Sequence, residues 1–170
     1  MATVRVTLSP GEADYLASAF PQYLKTNGTN IPVAGLAYDA TADEAAFWRI
    51  AAENYGSGNL TATIEWYADT ASSGTVAWEV QIAAITPNTD TQDIETDALA
   101  TVQRSSDTHL GTTGQRLHSH DVTISNLDSL AAGDDLVIRI ARDADDTGGG
   151  GDTMTGDAIL TKVRLSWSDT

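Results

Sequence analysis

The sequence predicts an all-β protein, an antiparallel β-sandwich of two sheets with about eight strands. Apolar and polar residues alternate from Leu60 to Ala68 and from Val76 to Ile82, and this period of two is typical of half-buried strands. Clusters of Gly, Asn, Ser and Thr separate such segments at the spacing found in sandwich and barrel domains. No long segment has a helical period.

The first 36 residues are predicted to form an N-terminal strand and an irregular arm that packs on or between subunits. Ser9-Pro10-Gly11-Glu12 can cap a single helical turn, because Ser suits an N-cap and Pro the first helical position. The arm has more apolar side chains than a solvated segment needs. As a hypothesis, they form an interface: Tyr15, Leu16, Phe20, Tyr23 and Leu24.

Residues 37–170 are predicted to form the sandwich itself. Its strands are expected at residues 47–51, 60–69, 74–84, 99–103, 117–125, 136–141 and 158–167, with turns such as "NYGSG", "TASSG" and "LAAGDD" between them. The tryptophans are expected in the core: Trp48, Trp66, Trp78 and Trp167.

Composition excludes several classes of protein. The chain of 170 residues has 24 acidic and 9 basic residues, a formal net charge of −15, which disfavours binding to nucleic acid. No apolar run is long enough to cross a membrane, so no membrane partner is expected. The N-terminus lacks the layout of a signal peptide, and without cysteine there is no disulfide, thiolate metal site or cysteine nucleophile.

The segment "NLTATIEWYADTASSGTVAWEV" places Glu65 beside Trp66 and Glu79 beside Trp78. In a simple hairpin the two glutamates could oppose each other at the spacing of a retaining glycosidase. In a jelly roll the two strands belong to different sheets, so the tryptophans meet across the core and the glutamates point outward on opposite faces. We favour the jelly roll, because the tryptophans lie on the apolar phase of their strands, and we expect no enzyme activity.

Two groups are weak candidates for metal ligands. His118 and His120 lie two apart on one strand face, a spacing that can bind a divalent ion, although they can equally pack near a strand end. The loop "RDADDTGGGGDT" offers Asp143, Asp145 and Asp152, but it matches no calcium-binding motif and also suits a mobile, solvated tip. Neither group outweighs its structural alternative, so no metal or cofactor is expected.

Four segments carry a resemblance to a known family: "TNIPVAGLAYDATADEAAFWRI", "NYGSGNLTATIEWYADTASSGTVAWEVQI", "LVIRIARDADDT" and "DTMTGDAILTKVRLSW". Together they resemble jelly-roll virion proteins of tailed bacteriophages, over roughly residues 27–168. The shared features are turns, core tryptophans and an Arg-Asp pair, Arg142-Asp143, expected to form a local ion-pair latch. The glycine-rich loop after this pair is longer than the resemblance leads us to expect.

The resemblance implies a non-enzymatic structural protein and supplies no catalytic residues. Its main expectation is a capsid decoration (cement) protein, a homotrimer on the capsid surface that binds the major capsid protein and stabilises the head. The alternative is a receptor- or carbohydrate-binding module of a phage head or tail fibre. The outward positions of the strands and the loops at the ends of the sandwich are therefore the surfaces of interest.

Overall fold

Ten strands form two antiparallel sheets in the computed structural model, which describes residues 2–70 and 73–169. The six-stranded sheet contains β1 (Thr3–Leu8), β2 (Gln22–Thr26), β3 (Val33–Tyr38), β5 (Tyr55–Ala68), β8 (His118–Ile124) and β10 (Ala158–Asp169). The four-stranded sheet contains β4 (Glu44–Ala51), β6 (Thr75–Ile85), β7 (Gln103–Thr108) and β9 (Asp135–Arg142).

Consecutive strands from β3 to β6 alternate between the two sheets, which gives the sandwich a jelly-roll character. The six-stranded sheet runs β2-β3-β10-β5-β8, and β1 joins it by pairing with β10. The first part of β10 pairs with β3 and the later part with β1, so both strands use the same edge of β10. The four-stranded sheet runs β4-β9-β6-β7. The predicted two-sheet sandwich is confirmed.

The core lies between the sheets and contains all four tryptophan rings. Trp66 of β5 and Trp78 of β6 meet across it with ring centres 6.2 Å apart and an angle of 63°, a favourable edge-to-face arrangement. Tyr38 ties the two sheets together, because its buried hydroxyl donates to the carbonyl of Ile140 at 3.1 Å. Trp48 and Trp167 lie near the periphery of the core, where their indole N–H groups donate to backbone carbonyls.

The N-terminal region has more regular structure than the sequence indicates. Ser9 does precede a short 3-10 helix, Pro10–Glu12, but β2 and β3 also lie in the segment predicted as an arm. The predicted boundary at residue 36 falls inside β3. Every residue of β2 is exposed to solvent, so the strand shows no alternation. The strand β3 contains Gly35, where an added Cβ would lie 2.6 Å from Ile159 Cγ2. Neither segment therefore shows the pattern of a half-buried strand.

Two strand bounds also differ from the prediction. The strand expected at residues 99–103 begins at Gln103 and runs to Thr108, a polar segment with no apolar face to indicate it. The "NYGSG" segment lies at the start of β5 rather than in a separate turn. Residues 71 and 72 of the predicted "TASSG" turn are outside the described residues. No helix in the described part of the chain is long and apolar enough to span a membrane.

Candidate functional site

Glu65 and Glu79 lie in different sheets and do not form a carboxylate pair. Glu65 faces outward from the six-stranded sheet, beside Lys162 at 3.1 Å and Arg164 at 3.4 Å. Glu79 faces outward from the four-stranded sheet and pairs with Arg104. Because the sandwich separates them, these glutamates cannot flank one glycosidic bond.

The outer face of the four-stranded sheet carries a row of three side chains that the strand register places level with one another. Phe47 of β4 pairs with Arg139 of β9, and Arg139 pairs with Gln81 of β6. The Arg139 Nη1 donates to Gln81 Oε1 at 2.8 Å, while Gln81 Nε2 donates to the carbonyl of Ala100 at 2.9 Å. The row therefore joins one aromatic ring to two planar polar groups that are held in fixed orientations. We call these residues, Phe47, Arg139 and Gln81, the central row.

A second level of charged side chains adjoins the central row. Glu79 lies opposite Arg104 of β7, with which it forms an ion pair, and Glu79 Oε2 also lies 3.4 Å from Arg139 Nη1. The Glu79 side chain is 14% exposed and that of Arg139 is 21% exposed. This ion-pair network neutralises the charges at the centre of the face and orients the donors of Arg139.

An apolar groove of about 300 Å³ opens beside the central row. The arm forms one wall and the segment between β6 and β7 forms the other. The lining residues are Leu16, Phe47, Ala83, Ile85, Ile94, Glu95, Asp97, Leu99 and Val137. Leu16 is 66% exposed and Ile94 is 54% exposed, so the groove presents apolar surface to solvent. Phe47 belongs both to the groove and to the central row.

The glycine-rich loop covers the opposite end of the same face, while its tip at residues 145–149 is exposed to solvent. The Arg104 Nη1 donates to the carbonyl of Gly148 at 2.6 Å, and the Ser106 hydroxyl donates to the carbonyl of Gly150. A methyl group on Gly150 would lie 2.5 Å from the Cβ of Ala77, so only glycine allows this close approach. The longer loop thus shortens the open part of the face.

The aspartates predicted as weak metal ligands separate into two groups. Asp143 and Asp145 lie with Asp43, each offering an oxygen within 4.8 Å of the others. Burial raises the pKa of Asp43, backbone N–H groups of Asp145 and Ala144 oppose the rise, and the nearby carboxylates add to it. Asp143 also lies 3.4 Å from Arg104 Nε. These contacts make the group part of the loop's own packing.

Asp152 is instead bound to Arg142, so the predicted Arg142-Asp143 latch is wrong. Arg142 is the last residue of β9 and points into the core, whereas Asp143 points the opposite way and is buried beside Arg104. The Arg142 guanidinium donates to both carboxylate oxygens of Asp152 at 2.9 Å. Asp152 is therefore engaged in a buried ion pair.

The two candidate histidine ligands point inward from β8 toward Asp107. The Nδ1 of His118 is 3.6 Å from one Asp107 oxygen, and the Nδ1 of His120 is 3.9 Å from the other. The Nε2 of His120 hydrogen-bonds the Ser105 hydroxyl at 2.8 Å. The His118 ring stacks on Trp66 with centres 4.4 Å apart. The two rings thus pack and form hydrogen bonds near a strand end, which was the alternative to metal binding.

Residues 14–19 of the arm lie along the free edge of β4, whereas Tyr23 and Leu24 belong to β2 in the six-stranded sheet. Asp14 exchanges two backbone hydrogen bonds with Phe47, and the N–H of Ala45 donates to the carbonyl of Ala19. Between 36% and 66% of each predicted interface residue is exposed: Tyr15, Leu16, Phe20, Tyr23 and Leu24. The Tyr15 and Phe20 rings are 5.4 Å apart with an angle of 42°. The arm is thus an exposed apolar surface in the single chain.

Sequence reasoning missed the central row as a site. Gln81 and Arg139 lie on the polar phase of strands that were predicted correctly, and Phe47 begins another predicted strand. Their outward orientation was therefore available from the sequence. The sequence does not show that the three residues lie level with one another, because this alignment depends on pairing between strands that are far apart in the chain.

Comparison with known proteins supports the fold. No protein-family model matches the chain, and no curated protein matches it by sequence. Among solved structures, the chain is similar to a family 28 carbohydrate-binding module specific for non-crystalline cellulose, with 10% identity and a TM-score of 0.52, over 92% of this chain and 89% of that one.

Two further solved structures are more distant. A family 11 carbohydrate-binding module of a Clostridium thermocellum cellulosomal cellulase has 8% identity and a TM-score of 0.45, over 97% of this chain and 87% of that chain. The enzymatically active domain of bacteriophage CBA120 tailspike protein 4 has 8% identity and a TM-score of 0.44, over 95% of this chain and 19% of that chain. Scores at this level carry no argument about function. The sheet topology and the similarity to the family 28 module together show that the chain has a jelly-roll β-sandwich fold.

Proposed function

We propose that the chain is a non-catalytic carbohydrate-binding module whose ligand lies across the central row, on the outer face of the four-stranded sheet. The observation that carries this proposal is the level alignment of Phe47, Arg139 and Gln81 beside an open apolar groove. A sugar ring has an apolar C–H face and a rim of hydroxyl groups. Binding sites for such ligands combine an apolar surface with a few well-oriented polar groups.

Each part of the face suits one part of a sugar chain. Phe47 and the aliphatic side chains of the groove can pack against C–H faces. Arg139 and Gln81 provide planar donors and acceptors that can bind neighbouring hydroxyls in pairs. Both are already held by hydrogen bonds, so less side-chain entropy is lost on binding.

The fold comparison supports the same class of ligand. The family 28 module is described as specific for non-crystalline cellulose, and the chain shares its fold over most of both proteins. A non-catalytic role agrees with the separation of Glu65 and Glu79 on opposite outer faces.

The proposal is tested by affinity electrophoresis against a panel of soluble polysaccharides, including hydroxyethylcellulose, xylan, mannan and a uronate polymer. We expect at least one polysaccharide to retard the wild-type protein, and Phe47→Ala and Gln81→Ala to abolish the retardation. The matched control is Tyr67→Ala, an aromatic residue on the outer face of the six-stranded sheet, which should bind as the wild type does. Two results would contradict the proposal. One is that all three variants are retarded as strongly as the wild type, and the other is that no polysaccharide retards even the wild-type protein.

A second candidate function rests on the arm. We propose as an alternative that the chain is a structural virion protein, a homotrimer that decorates the capsid surface by binding the major capsid protein. The supporting observation is the group of five exposed apolar side chains within residues 15–24. Exposed apolar surface of this kind is typical of protein–protein contacts.

The arm hypothesis is tested by substituting a charge for one exposed apolar residue. Leu16→Asp should lower the sedimentation coefficient of an oligomer and reduce occupancy on purified capsids, because an unpaired carboxylate would be buried in the contact. Ile31→Asp is the control, since Ile31 is also strongly exposed but lies in a different groove. An unchanged oligomer and full occupancy with Leu16→Asp would exclude the arm as the contact.

A further inference from the structure

All three histidines of the chain gather at one end of the sandwich, around Trp66 and the β7–β8 connection. His118 is 3% exposed and stacks on Trp66 at 4.4 Å with an angle of only 22°. His109 is 6% exposed, and its ring lies 4.7 Å from that of His118. The Trp66, His118 and His109 rings therefore contact one another in series from the core to the connection, residues 109–117, with the two histidine rings tilted by 49°.

Hydrogen bonds define the tautomer of His109. Its Nδ1 accepts the N–H of Gly111 at 3.0 Å, so this nitrogen carries no proton. The proton is therefore on Nε2, which donates to the carbonyl of Gly114 at 2.9 Å. The neutral ring therefore bridges the turn, with Nδ1 bonded to Gly111 and Nε2 bonded to Gly114. A second proton, on Nδ1, would remove the acceptor and set two N–H groups against each other.

The surroundings of His118 favour its neutral state. Its Nε2 is buried and has no hydrogen-bond partner. Burial lowers the pKa of His118, Asp107 opposes this effect, and His109 and Arg116 strengthen it. The charged and titratable groups around it are Asp107 of β7, His120 of β8 and Arg116 of the connection, while β5 contributes the Trp66 ring. The single carboxylate is shared between two histidines and hydrogen-bonds the Trp66 indole N–H at 2.9 Å.

We propose that the contacting His109–His118 pair is an acid-sensitive catch that holds the β7–β8 connection closed at neutral pH and releases it in mild acid. Protonating either ring places a positive charge beside the other ring in a buried stack. In the closed form the Asp107 carboxylate, which faces both His118 and His120, offsets the charge only in part, because the effect of burial on the pKa of His118 is larger. Opening the connection exposes the rings to water and relieves the repulsion.

The direction of the pH effect follows from the lowered pKa of His118. An open or unfolded form takes up a proton near the ordinary value of 6.5, at a higher pH than the closed form does. The stability of the closed form relative to the open form is therefore greatest above about pH 6.5. It decreases as the pH falls toward the lower pKa that His118 has in the closed form. The device is independent of the ligand on the outer face of the four-stranded sheet.

Hydrogen exchange measured by mass spectrometry at pH 7.5 and 5.5, corrected for intrinsic rates, tests the catch in the full chain. We expect amides of residues 109–117 to exchange up to about tenfold faster at pH 5.5, because a histidine with an ordinary open-form pKa of 6.5 can shift the opening equilibrium by about that factor one pH unit below 6.5. His118→Phe keeps an aromatic ring against Trp66 but cannot titrate, so it should lose most of this acid response. His120→Gln, which cannot titrate either, should keep it. An acid response in His118→Phe equal to that of the wild type overturns the proposal, as does its absence in the wild type.

A second measurement applies even if His118→Phe folds poorly. In NMR spectra of the wild-type protein, the imidazole Cε1–H signal of His118 should titrate with a midpoint below 6.5, together with the amide signals of Gly111 and Gly114. A midpoint above 6.5, or glycine signals that do not move with the imidazole, would show that the stack accepts the charge and holds no catch.

Discussion

Arg142 and Asp152 form a buried, two-pronged ion pair, with Nε and Nη2 of the arginine each 2.9 Å from one carboxylate oxygen. The arginine side chain is 0% exposed and the aspartate side chain 1%. The same guanidinium donates to the carbonyls of Met154 at 2.7 Å and Gly156 at 2.9 Å. This one side chain therefore holds Asp152, Met154 and Gly156, in the segment between the glycine-rich loop and β10.

Replacing Arg142 should destabilise the protein strongly. Arg142→Met leaves the buried Asp152 carboxylate without its positive partner, with only the N–H groups of Ala77 and Met154 still donating to it. Breaking a buried pair in this way costs about 3–5 kcal/mol. The exposed pair Arg49–Asp135 is the matched control, since its side chains are 45% and 25% exposed. Arg49→Met should cost less than about 1 kcal/mol. Urea unfolding of the two variants measures both losses, and equal losses would contradict the role given to Arg142.

The glycine-rich loop should not tolerate alanine at its contact with β6. Gly150→Ala forces a methyl group to within 2.5 Å of Ala77 Cβ, on a strand that cannot shift freely, and overpacking of this kind costs about 1–3 kcal/mol. A Cβ on Gly11 would meet its nearest atom at an ordinary 3.7 Å, so Gly11→Ala is the control. Thermal unfolding should show a clear loss for Gly150→Ala only. If the loop does not pack against β6, neither variant will lose thermal stability.

Asp157 should destabilise the protein at neutral pH. Burial raises the pKa of its carboxyl group, and the neighbouring Asp39 adds to the rise. The folded state therefore holds the proton at a pH where the unfolded chain has lost it, and stability falls as the pH rises from about 3.8 through the folded pKa. Asp157→Asn removes the charge and keeps an oxygen for the N–H of Ala40.

This variant should melt at a higher temperature than the wild type at pH 7, and the difference should disappear at pH 3. Asp121→Asn, on the exposed outer face of the six-stranded sheet, serves as the comparison. A wild-type protein that is more stable than Asp157→Asn at pH 7 would show that the carboxylate stabilises the fold.

The sandwich could be predicted wherever a strand has one buried and one exposed face. The segment from Leu60 to Ala68 alternates through its full length, and its tryptophan lies on the buried phase. The strand β7 could not be found in this way, because its inward positions are also polar. Ser105 and Asp107 point inward to bond His120 and Trp66, and the outward Arg104 lies beneath the glycine-rich loop.

The candidate binding face could be predicted only in part. Phase alone indicates that Gln81 and Arg139 point outward and that Trp78 points inward. The alignment of Phe47 with Arg139 depends on strand pairing across about ninety residues, which no local pattern determines. The Arg142–Asp152 pair was missed for a related reason, since a charged residue at the end of an apolar strand gives no indication that it points inward.

Titration of ¹⁵N-labelled protein with soluble cello-, xylo- and manno-oligosaccharides, followed by amide chemical shifts, tests the central claim most directly. The proposed binding mode predicts saturable shifts at Phe47, Gln81 and Arg139 with at least one oligosaccharide, and no shifts on the outer face of the six-stranded sheet. Shifts confined to that other face or to the arm would contradict it, as would a spectrum unchanged by every oligosaccharide.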